Sequence, residues 1–327
     1  MLHTQPLSPK NKLPRQTFRE RSHKTWLYIK HHPAMYLMLL PGLFFLFIYK
    51  LLPLYGIQIA FRDYNIFLGS NPIDAIAKSE WIGLEYFQKL FSSSQFFKVL
   101  RNTLAISCLK IIFLFPVPII CAILLNEIHK KLYHRIVQTV IYIPYFFSWV
   151  LIFGVFYTLV SSYGVINSIV TGLGFERIDF LTNPSNFLGL IVFTEGWKDT
   201  GYNTIIYLAS ITAIDTTLYE AAKVDGASKW RQIWHITLPG LLPTIVLMLI
   251  LRVGNILNAG FEQILVFYNP AVYNTADIID TYVYRIGLGQ MDFSLSSAMS
   301  LFNSVVAFIL IVGANTISKK LLKRGIW

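Results

Sequence analysis

Six long apolar segments restrict this chain to a narrow set of folds. A helix of about 20 apolar residues crosses the hydrocarbon core of a bilayer. Inside that core every backbone polar group needs a partner within the protein, so helices and closed barrels are the structures that span it. Continuous apolar runs are typical of helices. We therefore predict an all-α polytopic membrane protein with six transmembrane helices, near residues 34–60, 103–126, 136–160, 187–211, 241–259 and 295–317.

The composition agrees with a membrane protein. Of the 327 residues, 54% are hydrophobic and only 14% are charged, and the mean hydropathy is +0.53. Soluble domains carry about 25% charged residues. Pro144 breaks the third segment, and Pro116 and Pro118 lie inside the second. Prolines kink a packed membrane helix without abolishing it, so both segments remain candidate spans.

The distribution of Lys and Arg predicts the orientation of the spans. If the N-terminus is cytoplasmic, seventeen of these residues lie on the cytoplasmic side and seven lie opposite. We therefore predict that both termini are cytoplasmic. Residues 1–33 form a basic cytoplasmic tail without the apolar core of a signal peptide, and residues 34–327 form the six-span domain. The net charge of +11 is spread over cytoplasmic loops, which argues against a nucleic acid partner.

The polar segment at about 212–240 is predicted to leave the membrane between the fourth and fifth spans. Asp215 and Thr216 predict the N-cap of a short helix from Leu218 to Lys223. Asp225 and Gly226 predict a turn after it. A second helix follows, and we expect Pro239 and Pro243 to end that helix and to begin the fifth span.

The same segment carries the most specific motif of the chain. It combines a carboxylate, small residues, a turn and a proline, at Glu220, Ala221, Ala222, Asp225, Gly226, Ala227 and Pro239. At this place in a six-span chain the motif resembles the coupling loop of permease subunits in ATP-binding-cassette (ABC) importers. Further segments resemble carbohydrate permeases, closest to the oligosaccharide and polysaccharide branch, at residues 61–64, 101–104, 196–202, 261–264 and 282–285.

This resemblance covers nearly all of the chain from about residue 34 and implies a type I ABC importer permease fold. It implies that Glu220 pairs with a basic residue in a cleft of an ATPase subunit, that Ala221 and Ala222 pack there, and that Ala227 and Pro239 complete the motif. The implied partners are a second homologous permease, two ATPase subunits, an extracytoplasmic binding protein and membrane lipid. The implied location is the cytoplasmic (inner) membrane of a bacterium.

Polar residues inside predicted spans are the candidates for the translocation path, because burying them in a membrane costs free energy unless they are paired or face water. Glu195, Lys198 and Tyr202 share one helix face, on which Glu195 and Lys198 can pair. Asn255 and Asn258 share a face of the fifth span. The candidates are Lys110, Glu195, Trp197, Lys198, Tyr202, Arg252, Asn255 and Asn258.

Two interpretations remain open for Lys110 and Arg252. Their cations line the path, or they reach the headgroups or pair with a neighbouring span. If both face the path, they favour an acidic, uronate-type oligo- or polysaccharide such as alginate.

Two other classes of transporter and one class of enzyme compete with this interpretation. An ABC importer for another small solute would share the coupling motif, whereas an ion-coupled secondary transporter would not need it. An intramembrane enzyme has no support, because the seven histidines are dispersed outside the spans. The chain has no nucleotide-binding G-x-x-x-x-G-K-[ST] sequence. We therefore expect a transporter subunit that is not an enzyme and binds no cofactor or metal, with ATP and Mg²⁺ held by the ATPase.

Overall fold

The computed structural model describes residues 30–322. The chain divides into two units, of which the first ends at Ile57 and the second begins at Gln58. The first unit contains helix α1 (Pro33–Leu46), which continues as a π turn, Phe47–Leu51, and then as 3-10 helix, Leu52–Phe61, into the second unit. Pro53 has no N–H to donate, which favours a change of helix type at this point. No side chain of α1 is buried. The predicted tail 1–33 lies outside the described residues except for its last four.

The second unit opens with a small mixed region and continues as helices. The region contains strands β1 (Arg62–Asp63) and β2 (Glu80–Trp81), paired antiparallel, and helices α2 (Pro72–Lys78) and α3 (Glu85–Ser92). The following helices are α4 (Ser94–Leu114), α5 (Pro116–Asn126), α6 (Lys131–Tyr142), α7 (Trp149–Val160), α8 (Val165–Gly172) and α9 (Pro184–Thr212). Then come α10 (Thr216–Val224), α11 (Lys229–Gln232), α12 (Leu238–Gly254), α13 (Phe261–Phe267), α14 (Tyr273–Ala276), α15 (Ile279–Tyr284) and α16 (Phe293–Leu322). Short 3-10 helices lie at Ile66–Leu68, Ile143–Phe146 and Pro270–Val272, and π turns at Ile233–Thr237 and Arg285–Gly289.

Helix α9 is the centre of the second unit. It packs against α4, α5, α6, α12 and α13. One core joins α7, α9 and α13 through Phe156, Ile191 and Phe267, and another joins α5, α9 and α12 through Ala122 and Tyr207. The 29 residues of α9 reach about 43 Å at 1.5 Å per residue, which exceeds a bilayer core of about 30 Å.

The apolar helices differ in part from the predicted spans. Five helices among the described residues are long and apolar enough to cross a membrane: Pro33–Phe61, Ser94–Asn126, Trp149–Gly172, Lys229–Gly254 and Phe293–Lys320. The predicted fourth span corresponds to α9, which carries three charged residues within two turns and is not among the five.

The break that Pro144 predicts in the third span, 136–160, is confirmed. The chain leaves helical geometry after Pro144, at Phe147, and α7 begins anew at Trp149 with Ser148 as its N-cap. Proline removes one backbone donor and clashes with the preceding turn, which explains the break. Next to this break, helices α6 and α9 pack closely. Gly201 permits the close packing, because a Cβ atom at this position would lie 2.0 Å from the Ile141 carbonyl oxygen.

Candidate functional site

The predicted coupling segment forms a capped helix and a turn. Helix α10 spans Thr216–Val224, and the Asp215 carboxylate accepts a hydrogen bond from the Thr217 N–H at 2.9 Å, as the N-cap prediction requires. This hydrogen bond lowers the pKa of Asp215. Gly226 has a φ of +74°, the left-handed conformation that glycine adopts without strain. The predicted N-cap and turn are confirmed.

The exposed side of this segment contains most of the motif. No residue of α10 is buried. Glu220, Ala221, Asp225, Gly226 and Pro239 are exposed, and Ala222 and Ala227 are half-buried. Leu218 and Val224 expose 52% and 88% of their surface, although both are apolar. The helix therefore offers a carboxylate and an apolar face to a second surface.

Two polar contacts join the coupling segment to the long helices. The Tyr219 hydroxyl lies 2.9 Å from the Thr237 hydroxyl, and Thr237 is almost fully buried. Lys229 forms a 2.9 Å ion pair with Glu127, which follows the end of α5. The coupling segment therefore contacts the start of α12 and the end of α5.

The expectation that Pro239 and Pro243 end one helix and begin another is wrong. The chain is helical without interruption over Lys229–Gly254. A π turn at Ile233–Thr237 lies directly before Pro239, which occupies the first turn of α12. The wider turn tolerates the missing N–H of proline, so the helix continues through it.

A central cavity lies between α5, α9 and α12. It has a volume of about 170 Å³. Glu195, Arg252 and Asn255 of the predicted path line it. Its other lining residues are Leu114, Phe115, Pro118, Gly196, Asp199, Thr200, Asn203, Tyr207, Met248 and Leu251. The cavity thus combines an apolar wall with carboxylate, guanidinium and amide groups, as ligand sites do.

Lys110 and Arg252 share the Glu195 carboxylate. Lys110, which is only 2% exposed, pairs with one oxygen, and the Arg252 guanidinium donates to the other at 2.6 Å. Lys110 also donates to the Ala259 carbonyl at 2.6 Å and to the Gln263 side chain at 2.7 Å. Lys110 therefore forms a structural pair and does not reach the headgroups, whereas 41% of the Arg252 side chain is exposed beside the cavity.

The predicted pair of Glu195 with Lys198 is wrong. Lys198 donates to the carbonyls of Tyr145 and Phe147 at 2.7 and 2.6 Å. These carbonyls belong to the break between α6 and α7, where they have lost their helical partners, and a cation restores their hydrogen bonds. The Tyr202 ring stacks on that of Tyr145 with a centroid distance of 3.9 Å.

The remaining predicted path residues divide between two places. Helix α12 ends at Gly254, so the expected shared helix face of Asn255 and Asn258 is wrong. Both nevertheless line a small pocket next to the central cavity, together with Lys110 and Arg252. Trp197 lines neither pocket and instead packs edge-on against Phe156.

Asp199 is a cavity residue that the prediction missed. It lines the central cavity, and its carboxylate forms no hydrogen bond or ion pair with any residue in 30–322. The available signal was its position four residues after Glu195, one helical turn along the same face. The other charged groups of the lining are the Glu195 carboxylate and the Arg252 guanidinium, whereas Lys110 lies outside the lining and pairs with Glu195.

One protein-family model matches a range of this chain that contains the coupling segment and most of the residues that line the cavity. The model of the family described as "Binding-protein-dependent transport system inner membrane component" matches residues 115–324. The matched range includes α9, α10 and α12 but not Lys110.

Two relatives from Bacillus subtilis (strain 168) match most of the chain. Protein LplB is 45% identical and covers 91% of this chain and 92% of its own length. The polygalacturonan/rhamnogalacturonan transport system permease protein YteP is 43% identical and covers 94% and 95%. A chain of the crystal structure of a bacterial alginate ABC transporter, in complex with an alginate pentasaccharide-bound periplasmic protein, has a TM-score of 0.82 and 39% identity, covering 92% of this chain and 99% of that one.

Proposed function

We propose that this chain, which belongs to the family of binding-protein-dependent transport system inner membrane components, imports an acidic oligo- or polysaccharide. The chain is a permease subunit of an ABC importer with the type I fold, it lies in the inner membrane as a multi-pass protein, and a separate subunit hydrolyses ATP.

The accessible guanidinium of Arg252 carries the proposal for the cargo. A charged ligand at the depth of a membrane needs a partner of opposite charge, so a guanidinium that reaches the cavity favours an anionic ligand. Arg252 is the cation that reaches the cavity. A uronate carboxylate can accept two parallel hydrogen bonds from its guanidinium. Lys110 would keep Glu195 neutralised when Arg252 turns towards the cargo.

The other polar groups of the cavity suit a sugar ring. Asp199 has an acceptor free for sugar hydroxyl groups, and Asn203 and Asn255 supply amides. Leu114 and Met248 form an apolar wall for C–H groups. The printed names of similar proteins support this assignment, because one relative is a polygalacturonan/rhamnogalacturonan permease and a structural neighbour belongs to an alginate importer. A uronate-type cargo such as alginate fits these observations.

We further propose the assembly that the coupling segment serves. In this assembly the chain crosses the membrane six times, with α9 as the fourth span and both termini in the cytoplasm, and it consists of a basic tail at 1–33 and a membrane domain at 34–327. Helix α10 binds one of two ATPase subunits through Glu220 and the Ala221 face, and a second homologous permease completes the pore. An extracytoplasmic binding protein delivers the cargo. This chain holds no cofactor, and ATP and Mg²⁺ bind to the ATPase.

Substitution of Arg252 tests the cargo. In the complete transporter reconstituted in liposomes, Arg252→Gln should raise the KM for a uronate oligosaccharide roughly 10- to 100-fold, because a hydrogen bond to a charged group contributes about 1.5–3 kcal/mol. Uptake of a neutral oligosaccharide should not change. Arg101→Gln is the matched control, since Arg101 is exposed on α4 and outside the cavity. Equal competition by neutral sugars against labelled acidic sugar would overturn the assignment.

Charge reversal at the coupling helix tests the assembly. Glu220→Lys should reduce the amount of ATPase subunit that co-purifies with the tagged chain, without changing the amount of chain in the membrane. Glu85→Lys makes the same reversal on the exposed face of α3 and serves as the control. Full recovery of the ATPase with Glu220→Lys would contradict the proposed contact.

A further inference from the structure

We propose that a second cleft, distinct from the central cavity, binds one ring of the saccharide chain through its hydroxyl groups and C–H faces and lets the importer distinguish long from short cargo. This inference rests on the proposed function, including the orientation that places residues 161–186 and 260–294 on the outer side. The cleft lies between the end of α7, the loop at 178–182 and the end of α13. Its volume is about 420 Å³, larger than the 170 Å³ of the central cavity.

Amide side chains fix the walls of this cleft. Asn167, which is 1% exposed, accepts from the Ile178 N–H at 2.8 Å and donates to the carbonyls of Ile178 and Ser161 at 2.9 and 3.0 Å. It thereby joins the loop to the end of α7. Asn269 donates to the Leu181 carbonyl at 2.9 Å and joins the same loop to the end of α13. The cleft is therefore a preformed site, which reduces the entropy lost when a ligand binds.

The lining of the cleft combines aromatic faces with uncharged polar groups. Phe153, Tyr157 and Tyr268 provide rings, and Tyr157 exposes 50% of its surface. Ser161 and Ser162 provide hydroxyl groups at the rim. Aromatic rings pack against the C–H faces of a sugar while hydroxyl and amide groups bond its rim, and this mixture is typical of a small-molecule site.

The lining of the cleft limits the chemical groups that it can bind. No Lys, Arg or His among the described residues lines it, so a uronate ring binds there through its hydroxyl groups and C–H faces, with its carboxylate turned towards solvent. Its one carboxylate, Asp179, is engaged within its own loop, where it accepts from the N–H and the hydroxyl of Thr182. Lipid chains are a poor match, because they cannot bond the Ser161 and Ser162 hydroxyl groups. The cleft therefore recognises hydroxyl groups, and Arg252 in the central cavity recognises charge.

The two sites are far enough apart to contact different rings of one chain. The cleft includes Thr182, just before the N-cap of α9 at Asn183, and the central cavity begins at Glu195 on the same helix. Twelve residues of helix correspond to about 18 Å. A single sugar ring does not bridge this distance, so only an oligosaccharide occupies both sites at once.

Removal of an aromatic face tests the second site. In the complete reconstituted transporter with its binding protein, we compare uptake of a uronate disaccharide and of longer oligosaccharides from the same series. Tyr157→Ala should raise the KM for the longer chains roughly three- to tenfold, because one aromatic contact contributes about that factor, and should leave the disaccharide unchanged. Tyr163→Ala is the matched control, since Tyr163 is 83% exposed on the same segment and does not line the cleft.

Three results would overturn the inference. Equal KM changes for all lengths, or no change for any length, would show that the cleft does not contact the distal rings. A higher concentration of binding protein needed for half-maximal ATPase stimulation would make the cleft a docking site for that protein. If the wild type imports no saccharide at all, the proposed function itself fails, and this outcome is separate from the other three readouts.

Discussion

The buried cation of the central network should dominate the stability of the second unit. Lys110→Met keeps the length of the side chain and removes its charge. The variant leaves the Ala259 carbonyl and the Gln263 side chain without a donor and leaves Glu195 with Arg252 as its ion-pair partner. Breaking a buried pair on one side costs about 3–5 kcal/mol. We expect a loss of this size in the free energy of unfolding.

The measurement is an SDS titration of the purified transporter, followed by tryptophan fluorescence. Lys89→Met is the control, because the Lys89–Glu85 pair is exposed and such a helix pair contributes about 0.5 kcal/mol or less. Combining Lys110→Met with Glu195→Gln should cost less than the sum of the single changes, since the two groups interact. A loss below about 1 kcal/mol for Lys110→Met, or strict additivity in the double variant, would refute the assigned role.

Two further predictions concern the coupling segment. Tyr219→Phe removes the hydroxyl contact with Thr237 and should lower the amount of cargo imported per ATP hydrolysed by up to about fivefold, while exposed Tyr133→Phe should have no effect; unchanged stoichiometry would contradict the link. The lowered pKa of Asp215 means that its N-cap stabilises α10 above the unfolded pKa of about 3.9 and is lost as the pH falls through the lower folded pKa. ATPase co-purification should therefore stay constant from pH 8 to about pH 5, and a decline within that range that Asp215→Asn abolishes would contradict this reasoning.

Local features of the coupling segment could be predicted from the sequence because they depend on neighbouring residues. The side chain of Asp215 bonds a backbone group two residues later, and Gly226 adopts a conformation that its own lack of Cβ permits. The effect of Pro239 could not be predicted in the same way. Whether a proline ends a helix or follows a π turn depends on the turn before it, and the residue types do not determine that turn.

The pairing of charges inside the membrane domain depends on contacts that are distant in sequence. Helical spacing correctly places Glu195 and Lys198 on neighbouring positions of α9, but each finds a stronger partner elsewhere. Glu195 meets Lys110 and Arg252, 85 and 57 residues away, and Lys198 meets the break that Pro144 introduces. A single helix face gives no information about which neighbour supplies the opposite charge. For the same reason Asp199, which has no partner among residues 30–322, could not be distinguished from a paired carboxylate.

The charged residues near the middle of α9 affect how the chain enters the membrane during synthesis. A charged residue at the centre of an isolated helix opposes insertion by about 2.5–3.5 kcal/mol, and α9 carries Glu195, Lys198 and Asp199. The partners of the first two, Lys110 and the carbonyls near Pro144, are translated earlier, whereas Arg252 follows. Helix α9 should therefore insert together with helices already made. A chain truncated after Thr212 should insert α9 less efficiently when it carries Lys110→Met, and equal efficiency would show that α9 enters alone.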